Sequence, residues 1–250
     1  MGSLDQILVY PLQQLPFFLI TIVIAFTVHE FAHAYFANKF GDPTARLLGR
    51  MTLNPAVHFD LFGIILLLIA GFGWARPVPV NRDNFRRPRL MGVIVSAAGP
   101  ISNLLLGILG ALIYAILVGT GTMDSIKNEQ VLRALIWFFG MFIHFNFFLF
   151  VFNLIPLPPL DGYRIVEDIA PRPIRGRLQQ YEQYTVFLFL LIIFIPGLRA
   201  YTIEPLSYWA TRTGNDFFQL FLNVRGLSRA VRTGTVQCMA NVVEYNVIIK

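Results

Sequence analysis

The sequence has little charge and almost no cysteine. Of its 250 residues only 14% are charged, and Cys238 is the single cysteine. One thiol excludes an intrachain disulfide and argues against a thiolate zinc site. The scarcity of charge, together with 56% hydrophobic residues and 24 phenylalanines, is atypical of a soluble domain.

The sequence contains several long apolar stretches. Several approach the roughly 20 apolar residues that a helix needs to cross a bilayer. We predict an all-α polytopic membrane protein with about five to six transmembrane helices. The predicted domain covers residues 1–224, with its core at 16–165, and a polar tail follows at 225–250. The predicted spans are 16–40, 90–120, 131–155 and 181–196, and 201–224 is an interfacial segment or a poor span.

The basic residues lie in short loops between the apolar stretches. Residues 39–58, 76–89 and 164–177 are basic, whereas 120–130 carry little net charge. The net charge of +6 therefore follows the positive-inside rule and does not indicate a nucleic-acid partner. We expect a multi-pass protein of the lipid bilayer, in the plasma membrane if the host is prokaryotic, with these loops in the cytoplasm. No feature of the sequence indicates an oligomeric state.

A metal-ligand pattern lies inside the first span, at His29-Glu30-Phe31-Ala32-His33. Residues four apart share a helix face, so His29 and His33 can bind one ion together. Glu30 would then lie beside that ion, as a base for a water molecule. Ionisable side chains are costly in lipid, which favours a functional site. The alternative is a buried polar cluster that holds helices together.

Asp161 is the best candidate for a third ligand, because it is an acidic residue in an apolar, proline-rich setting. Two imidazoles, one carboxylate and an open position are typical of a catalytic zinc site. The ligands can meet only if spans 16–40 and 131–155 run parallel. This requires the short segment 59–75 to be re-entrant, entering and leaving on one side. The alternative is that Asp161 anchors a loop at the membrane surface.

Asn103 follows a Gly-Pro pair that should break the span at 98–100. It could donate a hydrogen bond to the substrate carbonyl or its oxyanion, or it could bond a neighbouring helix. Asn153 is a second candidate of the first kind. His144 and Asn146 are expected to make interhelical hydrogen bonds.

Two further patterns lie between the first two long spans. Alternating proline and valine at Pro77, Val78, Pro79 and Val80 favours an extended edge strand. Such a strand could hold an extended substrate by β-augmentation. His58 and Asp60 form a rival acid–base pair, although a loop histidine and a helix N-cap explain them more simply.

Three motifs together resemble those of the site-2 protease family. They are the histidine motif at 29–33, Gly99-Pro100-Ile101-Ser102-Asn103, and residues 152–162 (FNLIPLPPLDG). Residues 54–60 and 73–81 resemble the small prokaryotic members, so we expect no appended soluble domain. The resemblance implies an intramembrane zinc endopeptidase with one Zn²⁺ per chain. His29, His33 and Asp161 would be its ligands, Glu30 the general base, and a transmembrane protein the substrate.

Two other classes of function remain at this point. A metal transporter could use the same ligands, but it needs a polar path to the far side of the membrane. A non-catalytic membrane adaptor could keep the fold without the chemistry, and the intact Glu30 argues against it.

Overall fold

The computed structural model describes residues 8–70 and 73–224. The predicted tail at 225–250 lies outside them. The described part is helical, and short 3-10 turns at Pro55–Val57 and Arg82–Asn84 join the helices. The helices are α1 (Leu15–Lys39), α2 (Thr44–Leu47), α3 (Leu61–Ala70), α4 (Pro88–Gly119), α5 (Glu129–Asn153), α6 (Asp161–Ile169), α7 (Arg172–Phe194) and α8 (Pro196–Val224).

Helix α4 lies at the centre and packs against α1, α5, α6 and α8. The break predicted at residues 98–100 does not occur, because α4 continues through Pro100. Proline removes one helical hydrogen bond, but packing and side-chain bonds compensate for this inside a membrane helix. The bond lost at Pro100 is the one to the Ser96 carbonyl, four residues earlier, and Pro100 is itself fully buried.

The residues that flank helix α3 lie next to each other. An isolated antiparallel bridge joins Phe59 to Ala75, and the Arg76 N–H donates to the His58 carbonyl at 2.7 Å. The returning chain touches α3 directly, since a Cβ built on Gly63 would lie 2.2 Å from the Trp74 carbonyl oxygen. Ten residues of helix extend only about 15 Å. The segment therefore has the geometry that a re-entrant element requires.

The edge strands predicted between the first two long spans do not form among the described residues. Residues 76–81 pair with no neighbouring strand. Two of their N–H groups bond side chains instead: Val78 donates to Glu30 at 2.9 Å and Asn81 to Asp42 at 2.7 Å. Pro77 and Pro79 have no N–H, so few donors remain for a strand ladder.

Three helices in the described part of the chain are long and apolar enough to cross a membrane: α1, α4 and α5. The axes of helices α7 and α8 form an angle of 88°. The two helices add a fourth span only if they cross the membrane together as one bent span. The predicted number of five to six spans is therefore not confirmed. The charged Glu204, Arg212 and Asp216 in α8 and the basic start of α7 lower the hydropathy of both helices.

The largest apolar cluster fills the space between the second half of α4, α5 and α8. Tyr114 is fully buried, and its ring lies 5.3 Å from Phe139 and 5.1 Å from Phe218, centroid to centroid. Phe147 is also fully buried and stacks on Phe217 at 5.5 Å. This aromatic cluster supports the side of α4 that lies away from the histidine motif.

Candidate functional site

His29 and His33 lie one turn apart on α1, both buried. Their Nε2 atoms are 3.1 Å apart, and the rings meet at 83°. The facing helix, α4, presents Gly99 to them. A Cβ on Gly99 would lie 2.4 Å from His33 Nε2 and 2.6 Å from His29 Nε2. Only glycine leaves room for the two rings at this point.

Asp161 joins the two histidines from the first residue of α6. Its Oδ2 lies 3.1 Å from His29 Nε2, and its Oδ1 lies 3.3 Å from His33 Nε2. A close backbone turn directs it there, since a Cβ on Gly162 would lie 2.3 Å from the Leu154 carbonyl oxygen.

The other nitrogen of each imidazole has an oxygen partner. His29 Nδ1 lies 2.7 Å from Asn103 Oδ1, and His33 Nδ1 lies 2.7 Å from the Val95 carbonyl oxygen. Since both partners are carbonyl-type acceptors, each Nδ1 carries the hydrogen, and in a neutral imidazole Nε2 then has a free lone pair. The hydrogen bonds thus fix both tautomers and turn the lone pairs toward Asp161.

These donors fit a zinc ion. Two lone pairs and a carboxylate converge at 3.1–3.3 Å, which is unfavourable without a cation between them. Tetrahedral Zn²⁺ with bonds of about 2.0–2.1 Å places its ligand atoms about 3.3 Å apart. Among the described residues, this is the one group of three or more such side chains close enough to hold a metal ion.

Glu30 directly follows His29 in sequence and lines the same cavity as the three ligands. Its Oε2 accepts the Val78 N–H at 2.9 Å, which fixes the carboxylate against the 76–81 segment. Further along, the fully buried Asp42 accepts hydrogen bonds from Asn81 N and Asn84 Nδ2 at 2.7 and 2.8 Å. Two carboxylates, one within α1 and one just beyond its end, therefore hold this segment beside the histidines.

A cavity of about 700 Å³ surrounds the site. Apolar side chains of α1, α5 and α7 line one part of it, among them Phe26, Leu149, Phe152 and Phe189. Arg82 and Arg164 line another part. The cavity thus offers both apolar and cationic surface to a bound chain.

Asn103 is not among the residues that line this cavity. It is fully buried, and its Nδ2 donates to Asn146 Oδ1 at 3.1 Å and to the Ala25 carbonyl at 3.2 Å. Its position is the interhelical one of the two alternatives, with the added contact to His29. Of the other substrate candidates, Asn153, Pro77, Val78 and Val80 line the cavity and Pro79 does not.

The remaining polar residues singled out in the sequence lie elsewhere. His58 is fully buried, with Nε2 2.8 Å from the Thr52 carbonyl oxygen. Asp60 accepts the Gly63 N–H at 3.0 Å, which confirms the helix-cap interpretation. His144 meets Thr211 at 3.0 Å, and with the Asn103–Asn146 bond this confirms the predicted interhelical hydrogen bonds.

Sequence reasoning missed three groups at this site: Gly99, the Val95 carbonyl and Asp42. A spacing signal existed for the first. Gly92, Gly99, Gly107 and Gly110 recur at three, seven or eight residues, so they share one face of α4. No signal in the chain points to a particular carbonyl or to a loop carboxylate.

The chain matches one protein-family model and is similar to several named proteins. The model of "Peptidase family M50" matches residues 17–194. Relatives of the chain carry the name "Putative zinc metalloprotease". YwhC of Bacillus subtilis is 49% identical over 81% of this chain and 91% of its own length. Rip2 of Mycolicibacterium smegmatis is 29% identical over 80% and 75%, and MJ0611 of Methanocaldococcus jannaschii 28% over 60% and 68%. No solved structure is similar enough to count as a match.

Proposed function

The chain belongs to peptidase family M50, the site-2 protease family, and on that premise we propose that it is an intramembrane zinc endopeptidase. It hydrolyses peptide bonds in or near the transmembrane segments of membrane proteins. The observation that carries the proposal is the convergence of His29 Nε2, His33 Nε2 and one Asp161 oxygen within 4.8 Å of one another.

His29, His33 and Asp161 would hold one Zn²⁺ per chain, with a fourth position open to water or substrate. A bound zinc ion supplies Lewis acidity and makes water nucleophilic near neutral pH. Glu30 takes the proton of the attacking water and delivers it to the leaving amine. Its hydrogen bond from Val78 keeps the carboxylate turned into the cavity.

The substrate is a transmembrane segment that unwinds before attack, because a helical peptide bond is shielded by its own hydrogen bonds. The segment at Pro77, Val78, Pro79 and Val80 holds the unwound chain through its carbonyl oxygens and the Val80 N–H, because the Val78 N–H is donated to Glu30. Asn153 adds a side-chain contact. These roles are supported by the position of four residues that line the cavity: Pro77, Val78, Val80 and Asn153. Asn103 acts through His29 and does not touch substrate.

The protein lies in the lipid bilayer, in the plasma membrane if the host is prokaryotic, with its active site nearer the cytoplasmic face. The short, self-returning α3 supports this placement, because it lets α1 and α5 run parallel and brings Asp161 to the end of α1 that leads into a basic loop.

Glu30→Gln tests the proposal. The purified full chain, in lipid nanodiscs, is given a panel of single-span membrane proteins with tagged ends. We expect the wild type to cleave at least one of them, and the variant to keep its zinc but lose the cleavage. Asp60→Asn is a matched control, because its carboxylate caps α3 outside the cavity.

Two outcomes would contradict the proposal. Equal cleavage by Glu30→Gln and wild type would remove Glu30 as the base. Zinc bound at one ion per chain, with no product from any substrate and with zinc accumulating inside sealed vesicles, would favour a transporter instead.

A further inference from the structure

Arg82 differs from the other arginines of its basic cluster. Arg86, Arg87 and Arg89 are exposed, whereas Arg82 is partly buried and lines the cavity that holds the histidines. It follows directly on the 76–81 segment that touches Glu30. Its guanidinium therefore belongs to the surface that a bound substrate would meet.

One edge of this guanidinium is fixed by a buried partner. Arg82 Nε donates to Asp168 Oδ2 at 2.9 Å, and Asp168 is 1% exposed. The pair rests on the backbone of α4 at Gly92, where a Cβ would lie 2.3 Å from Asp168 Oδ2 and 3.1 Å from Arg82 Nε. The side chain is thus oriented before any substrate arrives.

The other edge is free. Within the described part of the chain, neither Nη atom of Arg82 has a hydrogen-bond partner. Arg164, the second arginine of the cavity, differs in this respect. Its Nη1 bonds Glu167 at 3.0 Å and its Nη2 bonds Glu182 at 2.6 Å. Two parallel Nη donors match the geometry of a carboxylate.

The distance from the reacting groups to Arg82 follows from the segment between them. Val78 bonds Glu30, and Asn81 bonds Asp42 beyond the end of α1, so the segment runs along the last turns of α1 away from Phe26. Four residues from Val78 to Arg82 cover at most about 13 Å, at about 3.3 Å per residue. An extended substrate beside it would meet Arg82 roughly three to five residues from the cleaved bond.

We infer that Arg82 determines specificity, binding through its free Nη edge a substrate carboxylate three to five residues from the cleaved peptide bond. The inference rests on the proposed function and names a feature of its substrates. The carboxylate lies on the side of the bond toward the loop at residues 76–89, and the apolar part of the substrate lies toward Phe26 and Leu149.

The test starts from a single-span protein that the wild type cleaves and Glu30→Gln does not. Its third, fourth and fifth residues from the cleaved bond are changed in turn to Glu, Gln or Lys. Reactions are run in nanodiscs of phosphatidylcholine alone. At one of these positions, we expect kcat/KM to be about tenfold higher for Glu than for Gln, the usual size of a charge-assisted hydrogen bond, with the change mostly in KM.

Arg82→Lys should abolish the difference between Glu and Gln. Lysine keeps a cation for Asp168 but lacks the two-donor edge. The readout is the ratio of kcat/KM between the Glu and Gln substrates, because a general effect of the substitution acts on both substrates alike. Arg86→Lys is the matched control, an exposed arginine outside the cavity, and should keep the preference.

The substrate series alone can overturn the inference. Equal kcat/KM for Glu, Gln and Lys at all three positions in the wild type does so, as does a preference that survives Arg82→Lys. If Arg82→Lys instead alters all substrates equally, and only when phosphatidylglycerol is added, the edge binds lipid phosphate and the inference is wrong. In each case, the loss of cleavage in Glu30→Gln still stands as evidence for the proposed function.

Discussion

The two halves of α4 use glycine for opposite purposes. In the first half, Gly92 and Gly99 face polar atoms, and a Cβ would lie 2.3 Å from Asp168 Oδ2 and 2.4 Å from His33 Nε2. In the second half, Gly107 and Gly110 face aromatic rings, and a Cβ would lie 3.1 Å from Phe147 and 2.8 Å from Phe142. The residue type is the same, but what it makes room for differs.

The difference shows what each half tolerates. The aromatic cluster is held by buried area spread over many rings, so a small shift is shared among them. The histidine cluster depends on a few atoms at fixed distances, so a shift of one atom changes the chemistry. Substitutions in the first half should therefore alter metal binding and activity, and those in the second half should alter stability.

The largest effect is expected from Gly99→Ala. The added methyl group would overlap both imidazoles and must displace at least one of them. A displacement of about 1 Å at a reacting group can cost about 100-fold in rate. We expect elemental analysis to find well below one zinc ion per chain. The rate of cleavage should fall by about 100-fold or more.

Gly107→Ala is the control on the same helix, since its Cβ would meet only the edge of a phenylalanine ring. It should keep its zinc. If Gly99→Ala also bound one zinc ion per chain with full activity, the contrast between the two halves would be lost.

A smaller effect is expected from Asn103→Ala. The change removes the acceptor of His29 Nδ1 and frees the ring to adopt the other tautomer. Loss of such an outer partner typically lowers metal affinity by about 10–100-fold. Competition with a chelator of known affinity measures it.

Two companion variants separate orientation of His29 from general packing. Asn103→Asp keeps an oxygen for His29 and should retain more affinity than Asn103→Ala. Its second oxygen would face the acceptors Ala25 O and Asn146 Oδ1, so it should lower stability. Asn146→Ala removes the acceptor of Asn103 Nδ2 and a bond to the Phe142 carbonyl but leaves the acceptor of His29 in place, so it should lower stability more than affinity. An Asn146→Ala variant that lost as much zinc affinity as Asn103→Ala would contradict the orienting role.

The smallest effect is expected from Gly110→Ala. Its Cβ would lie 2.8 Å from Phe142 Cδ1 and 3.2 Å from Ile143 Cγ1, side-chain atoms that can shift. Overpacking of this kind costs about 1–3 kcal/mol of unfolding free energy. Thermal unfolding in detergent should show the loss, while zinc content and cleavage per folded molecule stay unchanged. A drop in zinc content would show that the two halves are coupled.

Much of the fold can be predicted from the sequence. The three long spans were predicted to within two residues at either end, because apolar composition and Gly or Pro at the boundaries act locally. The meeting of Asp161 with the histidines followed from charge in the loops and from the short segment 59–75. Both depend on the bilayer as solvent, which imposes few topologies.

Other features depend on partners that lie far away in the chain. Residues 76–81 look like a strand, but Glu30 and Asp42, about 40 to 50 residues earlier, take their N–H groups. Asn103 looks like a substrate ligand, and its surroundings on α1 and α5 turn it toward His29 instead. Gly99 acts by leaving space for the two imidazoles. A search for functional side chains does not find a residue that acts in this way.

The contact between Glu30 and Val78 uses the backbone of residue 78 and not its side chain. Any amino acid at this position can supply the same N–H, with the single exception of proline. The orientation of Glu30, the proposed base, is thus independent of the shape of the side chain beside it. Residue 78 can change to suit a new substrate, from alanine to tryptophan, without disturbing the Glu30 carboxylate. Pro77 and Pro79 flank residue 78, where a proline would remove this contact.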